Sequence, residues 1–125
     1  MKPASAKSKG RNHQKAVAAM VTEIFELGDG DVEWTSMGAS GIDIKLSPKA
    51  RSVCPVSIEC KKQRKHPAVA EMKQARYNAY LGTIAAVAWS PHGSGPEEAM
   101  ITFNMREFFN LLKELQDERK SNAAG

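Results

Sequence analysis

The chain has 125 residues and a formal net charge of +4, and 42% of its residues are hydrophobic. This length suits one domain with a single core, and no apolar run is long enough for a transmembrane helix. The two cysteines, Cys54 and Cys60, lie on one predicted strand without the spacing for a disulfide, and no histidine completes a zinc site, so we expect reduced thiols in a cytoplasmic protein without a membrane partner.

Positive charge is concentrated at the N-terminus. Residues 1–10 show no hydrophobic periodicity, and we predict a disordered arm there. Five basic residues in this part of the chain occur without an acidic one among them: Lys2, Lys7, Lys9, Arg11 and Lys15. Such a segment suits contact with a polyanion, although a solvated surface explains the charge of the arm equally well.

The first helix is predicted over residues 12–27. Its apolar stripe consists of Val17, Met20, Val21, Ile24 and Phe25, and Gly28 supplies a C-cap. A short strand is predicted over residues 32–36. The loop of small residues at 36–41 either connects two strands or offers hydroxyl groups to a bound phosphate, those of Ser36 and Ser40.

Two segments with alternating polar and apolar residues follow, at 41–46 and 56–61. A period of two indicates half-buried strands, and turn residues such as Ser47-Pro48 between the segments predict an antiparallel hairpin. In that hairpin the side chains of Asp43, Glu59 and Lys61 emerge together on one surface.

These three side chains suit metal-dependent phosphodiester hydrolysis. Two carboxylates that converge cannot both stay ionised without a cation between them, and Mg²⁺ prefers oxygen ligands. The cation would polarise a phosphate and lower the pKa of an attacking water. Lys61 lies one pleat beyond Glu59, so its ammonium would hold the water or balance charge on the phosphate.

Asp43 followed by Glu59-Cys60-Lys61 resembles the Asp…Glu-x-Lys core of the PD-(D/E)xK nuclease superfamily, with Ile42 where Pro is usual. In its small single-domain layout the chain is similar to archaeal-type Holliday junction resolvases and VRR-NUC-type nucleases. The resemblance implies that Asp43, Glu59 and the backbone carbonyl of Cys60 bind Mg²⁺, or Mn²⁺ in its place. It also implies that Lys61 assists catalysis.

Two glutamines are supporting candidates within this resemblance, beside Ser40. The resolvases carry a Glu near the start of the first helix, a few residues after a Lys-Gly pair, and Gln14 stands there after Lys9-Gly10. Gln14 borders the apolar stripe, whereas Glu23 and Glu26 lie towards the far side of the helix and would point to solvent. We therefore keep Gln14, ahead of His13, as a candidate contact to phosphate or metal-bound water. Gln74 matches a Gln found after the Glu-x-Lys strand in many members, where it would touch the catalytic lysine or a phosphate.

A second basic cluster begins inside the proposed site and leads to a helix predicted over residues 68–81. A basic segment beside a carboxylate pair suits a nuclease, because it holds the polyanion while the carboxylates hold the metal. We therefore expect DNA to contact Lys7, Lys9, Arg11, Lys62, Arg64, Lys65 and Arg76.

The remaining segments complete the sheet. The apolar run at 84–89 predicts a buried strand parallel to the Glu59 strand. Residues 99–103 predict a last strand, and Asn104 with Glu107 forms a capping box that starts a final helix. The broad apolar face of that helix suits either the core or a dimer seam, and residues 117–125 predict a flexible tail.

We therefore predict an α/β protein with a restriction-endonuclease-like α-β-β-β-α-β core, in which helices flank a mixed central sheet, and an extra C-terminal strand and helix. The nuclease domain would span residues 11–116. The expected activity is Mg²⁺-dependent endonucleolytic cleavage of branched or four-way junction DNA, by a homodimer because symmetric cutting needs two sites. The alternatives are an exonuclease or repair nicking nuclease of the same fold, or a non-catalytic DNA-binding protein that uses the basic arm.

Overall fold

A computed structural model of the protein describes residues 3–35 and 41–124, and side chains from residue 7 onward. The chain is mixed α/β, as predicted, with helices α1 (Pro3–Ile24), α2 (Pro48–Val53), α3 (Val69–Asn78) and α4 (Met105–Ala124). The strands are β1 (Val32–Trp34), β2 (Ile44–Leu46), β3 (Val56–Lys62), β4 (Ile84–Ser90) and β5 (Met100–Phe103), and a 3₁₀ helix (Pro96–Glu98) precedes β5. None of the helices in these two ranges combines the length of a bilayer span with the hydrophobicity that a span needs.

The strands form two separate sheets. A three-stranded sheet has the order β3-β4-β5, with β3 parallel to β4 and β5 antiparallel to β4. The parallel pairing of β3 and β4 across α3 is confirmed, with Glu59 opposite Val87. A two-stranded antiparallel sheet joins β1 to β2, with Glu33 opposite Lys45. Because β3 lies at the edge of its sheet, one side of its backbone is free for other contacts.

The predicted hairpin between the Asp43 and Glu59 segments is wrong. β2 pairs with β1, and α2 separates it from β3. The two residues interpreted as a turn instead start a helix: the Ser47 hydroxyl accepts the Ala50 N–H at 3.0 Å, and Pro48 occupies the first helical position. A serine before a proline is a favourable helix start, because the side chain caps a free N–H and proline needs no donor there.

Helices cover the three-stranded sheet on both faces. On one face, Ala18 and Val21 of α1 pack in a cluster with Ile58. On the other face, Ala75 of α3 packs with Ala85 and Val87. Residues 56–59 are consequently all buried, so the prediction of an exposed polar face for this stretch is wrong. The hydroxyl of buried Ser57 is satisfied by the Thr83 hydroxyl at 2.6 Å and the Tyr80 N–H at 2.9 Å.

Both ends of the chain contain more helix than predicted. α1 begins at Pro3, so the prediction of a disordered arm is corrected for residues 3–10, which extend the helix expected from residue 12. Alanine and lysine are strong helix formers, and extending an existing helix adds a hydrogen bond for each residue that is ordered. α4 continues to Ala124 through the predicted tail, where Lys113 and Asp117 form an ion pair of 3.0 Å one turn apart.

The two cysteines are free thiols, as predicted, but they do not share a strand. Cys54 caps the C-terminus of α2, and Cys60 lies in β3. The capping box of α4 is present, because the Asn104 side chain accepts the Glu107 N–H at 3.1 Å.

Candidate active site

Asp43 is linked to β3 by its side chain and not by strand pairing. It stands immediately before β2, where its backbone carbonyl accepts the Thr35 N–H at 2.9 Å. Its carboxylate oxygen Oδ2 accepts the Cys60 N–H at 2.8 Å. That N–H is available because β3 is an edge strand. Although the predicted hairpin is absent, Asp43 and the Glu59-Cys60-Lys61 segment therefore still meet, and a carboxylate–peptide hydrogen bond joins them.

Glu59 is a buried acid with an unsatisfied oxygen. Its side chain is 4% exposed, and Oε2 is buried without a hydrogen-bond partner. Burial is the largest cause that raises the pKa of the Glu59 carboxyl to about 7, and the neighbouring Asp43 charge and a hydrogen bond to Asp43 contribute to the same rise. A hydrogen bond from Asn78 and the charge of Lys61 oppose that rise in pKa. At neutral pH the Glu59 carboxyl is therefore close to half protonated, because burial and a neighbouring carboxylate both favour its neutral form.

Asp43 and Glu59 supply two of the carboxylate ligands that a divalent-cation site needs. A buried carboxyl with a raised pKa and an unpartnered carboxylate oxygen both mark a place where a cation would lower the free energy. In the described ranges, no three His, Cys, Asp or Glu side chains converge, so the remaining ligands would be water or backbone oxygens. Mg²⁺ keeps several waters and commonly binds through one or two carboxylates, so Asp43 and Glu59 fit it. The carbonyl of Cys60, between Glu59 and Lys61, stays a predicted ligand.

Lys61 is held by the predicted glutamine. The Lys61 ammonium donates a hydrogen bond to Gln74 Oε1 across 3.2 Å. Lys61 and Glu59 are two residues apart in β3 and therefore project from the same face of the strand. The positive charge of Lys61 also acts to lower the pKa of the Glu59 carboxyl. The sheet thus brings Glu59 and Lys61 together as the sequence predicts, and α3 supplies a neutral acceptor that directs the lysine.

Asn78 is a site residue that the sequence analysis missed. It forms a hydrogen bond to the Glu59 carboxyl, and it is the last residue of α3. Gln74 and Asn78 are four residues apart, so they share one face of the helix. That i, i+4 pair of side-chain amides is the signal that would have identified Asn78, because its first member was already a candidate.

α1 places two polar side chains in the interior. Gln14 is 4% exposed, and its Oε1 atom is buried without a hydrogen-bond partner. The next residue towards the N-terminus, His13, has its Nε2 atom 2.8 Å from the Ala88 carbonyl, which can only accept, so Nε2 carries the proton. Burial lowers the pKa of His13, the Ala88 bond opposes that change, and the charges of Lys62 and Asp43 act in opposite directions.

The predicted DNA-contacting residues divide into two groups. Lys7, Arg11, Arg64 and Lys65 are exposed, and Arg76 is exposed but pairs with Glu107 of α4 at 3.6 Å. Lys62 is directed instead into the protein, where its ammonium contacts Ser90 at the end of β4. Lys9 and Lys62 both line a cavity between α1 and the loop that follows β4. Ser36 and Ser40 lie outside the described residues.

Comparisons of the chain with known proteins do not identify the candidate active site. Comparison of the chain with protein-family models, with curated proteins and with solved structures finds no match. The assignment to a nuclease superfamily therefore stays a prediction that depends on the residues and their geometry.

Proposed function

We propose that the protein is a Mg²⁺-dependent DNA endonuclease with a restriction-endonuclease-like core, related to the PD-(D/E)xK nucleases. One observation carries this proposal: Glu59 is buried against Asp43 with a pKa of about 7 and an unpartnered oxygen. Burying an acid beside a second carboxylate is costly unless a cation joins them, and this cost supports a role for the pair beyond stability.

The element order supports the same fold. A helix and one strand precede Asp43, which stands directly before β2, and β3, α3 and β4 then form a parallel unit that carries Glu59 and Lys61. The chain departs from the expected α-β-β-β-α-β order in one place, where α2 is inserted between β2 and β3. That insertion leaves the contact between Asp43 and Cys60 intact.

In the proposed reaction, Asp43 and Glu59 hold the divalent ion. The ion, Mg²⁺ or Mn²⁺, would supply a Lewis acid that polarises the scissile phosphate and lowers the pKa of bound water. The Lys61 ammonium, directed by Gln74, stabilises negative charge that develops on the phosphate or orients the attacking water. Asn78, which contacts the Glu59 carboxyl from the end of α3, would orient that carboxyl for metal binding.

Branched or four-way junction DNA is the proposed substrate, and a homodimer is the proposed active form. The exposed basic residues Lys7, Arg11, Arg64 and Lys65 provide charge for the phosphate backbone. On α4, Phe109, Leu112 and Leu115 are 58%, 44% and 44% exposed. An apolar face of this kind suits a second copy of the chain, and a dimer would present two cutting sites to one junction.

The decisive experiment measures cleavage of a four-way junction, a linear duplex and a flap with and without Mg²⁺. We expect Asp43→Asn and Glu59→Gln each to reduce cleavage about a hundredfold or more, because each removes one of two carboxylate ligands. Glu118→Gln is the matched control, since Glu118-Arg119-Lys120 repeats the Glu-x-Lys string on exposed α4.

The outcomes separate the alternatives. A preference for the junction supports the resolvase, whereas degradation from duplex ends or nicking of flaps supports an exonuclease or repair nuclease with the same site. Unchanged activity in Asp43→Asn, with DNA binding lost when the first ten residues are deleted, would show that the protein only binds DNA.

A further inference from the structure

A cavity of about 270 Å³ lies beside the candidate active site, between the N-terminal half of α1 and the loop that follows β4. This volume is several times the roughly 30 Å³ that one water occupies in the liquid. Two lysines line the cavity, and none of the described residues in its wall is acidic; its polar wall is formed by Lys9, Asn12, His13, Lys62, Ser90 and Ser94.

Lys62 gives the cavity a fixed positive charge. Its ammonium donates to the Ser90 hydroxyl at 2.9 Å, to the Pro91 carbonyl at 2.9 Å and to the Ser94 carbonyl at 3.0 Å. These three bonds use all three of its protons and hold the side chain in place. All three acceptors are neutral, and neither of the ion pairs found among the described residues includes Lys62. The charge is therefore hydrogen-bonded but not neutralised.

Lys9 and Asn12 supply donors on the opposite wall. They are three residues apart on α1 and therefore lie on one side of the helix. Lys9 has no hydrogen bond or ion pair among the described contacts, so its ammonium is free to bind a ligand. A fixed cation on one wall and movable donors on the other form a site for an anion with several oxygens, and phosphate is such an anion.

The position of the cavity indicates where that phosphate would come from. Lys62 directly follows Lys61 in β3, and successive side chains of a strand project to opposite faces. The cavity therefore lies at the same end of β3 as the catalytic lysine, across the strand from it. A DNA strand with one phosphate at the Asp43–Glu59 pair would have another phosphate close to this cavity.

We propose that the cavity between α1 and the β4–β5 loop binds a phosphate group of the DNA next to the phosphate that is cut. The phosphate is either an internal phosphodiester or the terminal phosphate of a strand end. The identity of the ligand as DNA rests on the proposed function, but the binding step requires neither metal nor cleavage.

The test uses the full chain with Glu59→Gln, so that no cleavage takes place. Inorganic phosphate is titrated while amide NMR signals of the Ser90–Ser94 loop are followed. We expect Lys9→Gln and Lys62→Gln each to weaken phosphate binding about tenfold, and Lys62→Arg to retain it because the charge remains. Lys15→Gln is the matched control: it removes the same charge from the same helix, but Lys15 lies over the Trp34 ring, 5.2 Å from its centroid.

The DNA arm distinguishes the two sources. Affinities are measured for one duplex with 5′-phosphate and with 5′-hydroxyl ends. A gain from the 5′-phosphate that disappears in Lys9→Gln assigns a terminal phosphate, and an equal loss for both duplexes assigns an internal one. If Lys9→Gln and Lys15→Gln have the same effect on inorganic phosphate and on both duplexes, the proposal is refuted. Phosphate binding without any cleavage by the unsubstituted protein would overturn the proposed function and leave this site standing.

Discussion

Glu59 is a carboxylic acid in a place where water cannot solvate its charge. Its environment raises the pKa towards neutrality, so the protein without metal carries a strain that appears as the pH rises. If Asp43 and Glu59 bind a cation as proposed, the oxygen that is costly when ionised and unpartnered would become a metal ligand. The proposal therefore gives Glu59 two favourable states, one protonated and one metal-bound.

The stability of the metal-free protein should therefore fall with pH. The folded pKa of Glu59 is raised from 4.5 to about 7, so the stabilising contribution is present below pH 4.5 and is lost as the pH rises through 7. We expect Glu59 to account for a loss on the order of 3 kcal/mol between pH 5 and pH 8, measured by urea unfolding in EDTA.

Two controls separate this effect from other titrating groups. Glu59→Gln should remove most of the pH dependence, because the amide is neutral throughout. Added Mg²⁺ should restore stability to the unsubstituted protein at pH 8 but not to Glu59→Gln, because a ligand that binds the folded state stabilises it. A flat pH profile in EDTA would contradict the burial of an ionisable acid at this position.

Gln74 should affect turnover more than substrate binding. It accepts a hydrogen bond from the Lys61 ammonium at 3.2 Å and so restrains the lysine side chain beside Glu59. We expect Gln74→Ala to lower kcat about tenfold with little change in KM, because the lysine charge remains but loses its orientation. Tyr77→Ala is the control, since Tyr77 is 90% exposed on the same helix. If Gln74→Ala instead raises KM about tenfold and leaves kcat unchanged, Gln74 contacts DNA directly.

At the scale of single residues, the sequence predicted which side chains lie close together better than it predicted their hydrogen-bond partners. Asp43, Glu59 and Lys61 follow from strand alternation and from carboxylate chemistry, and Gln74 contacts Lys61 as expected. The hydrogen bond between Asp43 and the Cys60 N–H was unpredictable, because it joins a side chain to a backbone group 17 residues away. Asn78 was missed because only helix spacing relates it to Gln74.

At the scale of elements, Ser47-Pro48 starts helix α2, which connects β2 to β3 in place of a hairpin turn. The Ser47 hydroxyl accepts the Ala50 N–H and donates to Asp31 Oδ1 at 2.7 Å, so it caps α2 and ties it to the loop before β1. The same dipeptide occurs in turns and at helix starts, and local sequence does not distinguish them. By contrast, the apolar run of β4 has one favourable location, the buried strand between two neighbours, and its prediction was correct.

Ser47→Ala should destabilise the fold by about 1–2 kcal/mol, because it removes a helix cap and takes away the hydroxyl that donates to Asp31 Oδ1. Chemical unfolding measures the change. Ser52→Ala is the matched control: its hydroxyl donates to the Lys49 carbonyl inside the same helix and is exposed, so we expect less than about 0.5 kcal/mol. Equal effects of the two substitutions would show that α2 needs no cap.

At the scale of the whole molecule, α4 is the element with the least contact to the rest. Its described residues include none that is buried, while an apolar row from Phe108 to Leu115 is turned to solvent. The sequence left open whether this row was core or seam. In the proposed homodimer this row would form the seam, because the three-stranded sheet is already covered on both faces by α1 and α3.

Leu112→Arg with Leu115→Arg should convert a dimer to a monomer, because two charges would be buried in an apolar contact. Sedimentation equilibrium measures the mass, and circular dichroism verifies that the fold survives. Asn110→Arg is the control, since Asn110 is exposed on α4 but is not part of the apolar row. Should the unsubstituted protein sediment as a monomer at all concentrations, the seam and the two-site scheme would both be wrong.

The attachment of Asp43 to β3 depends on a peptide group and not on any side chain. Every amino acid except proline offers that N–H, so a side chain small enough for the core contact of Cys60 can replace the cysteine while Asp43 stays anchored. Cys60→Ala and Cys60→Ser should leave Asp43 in place, whereas Cys60→Pro would release it. The residue between Glu59 and Lys61 therefore holds Asp43 through its backbone N–H and not through the chemistry of its side chain.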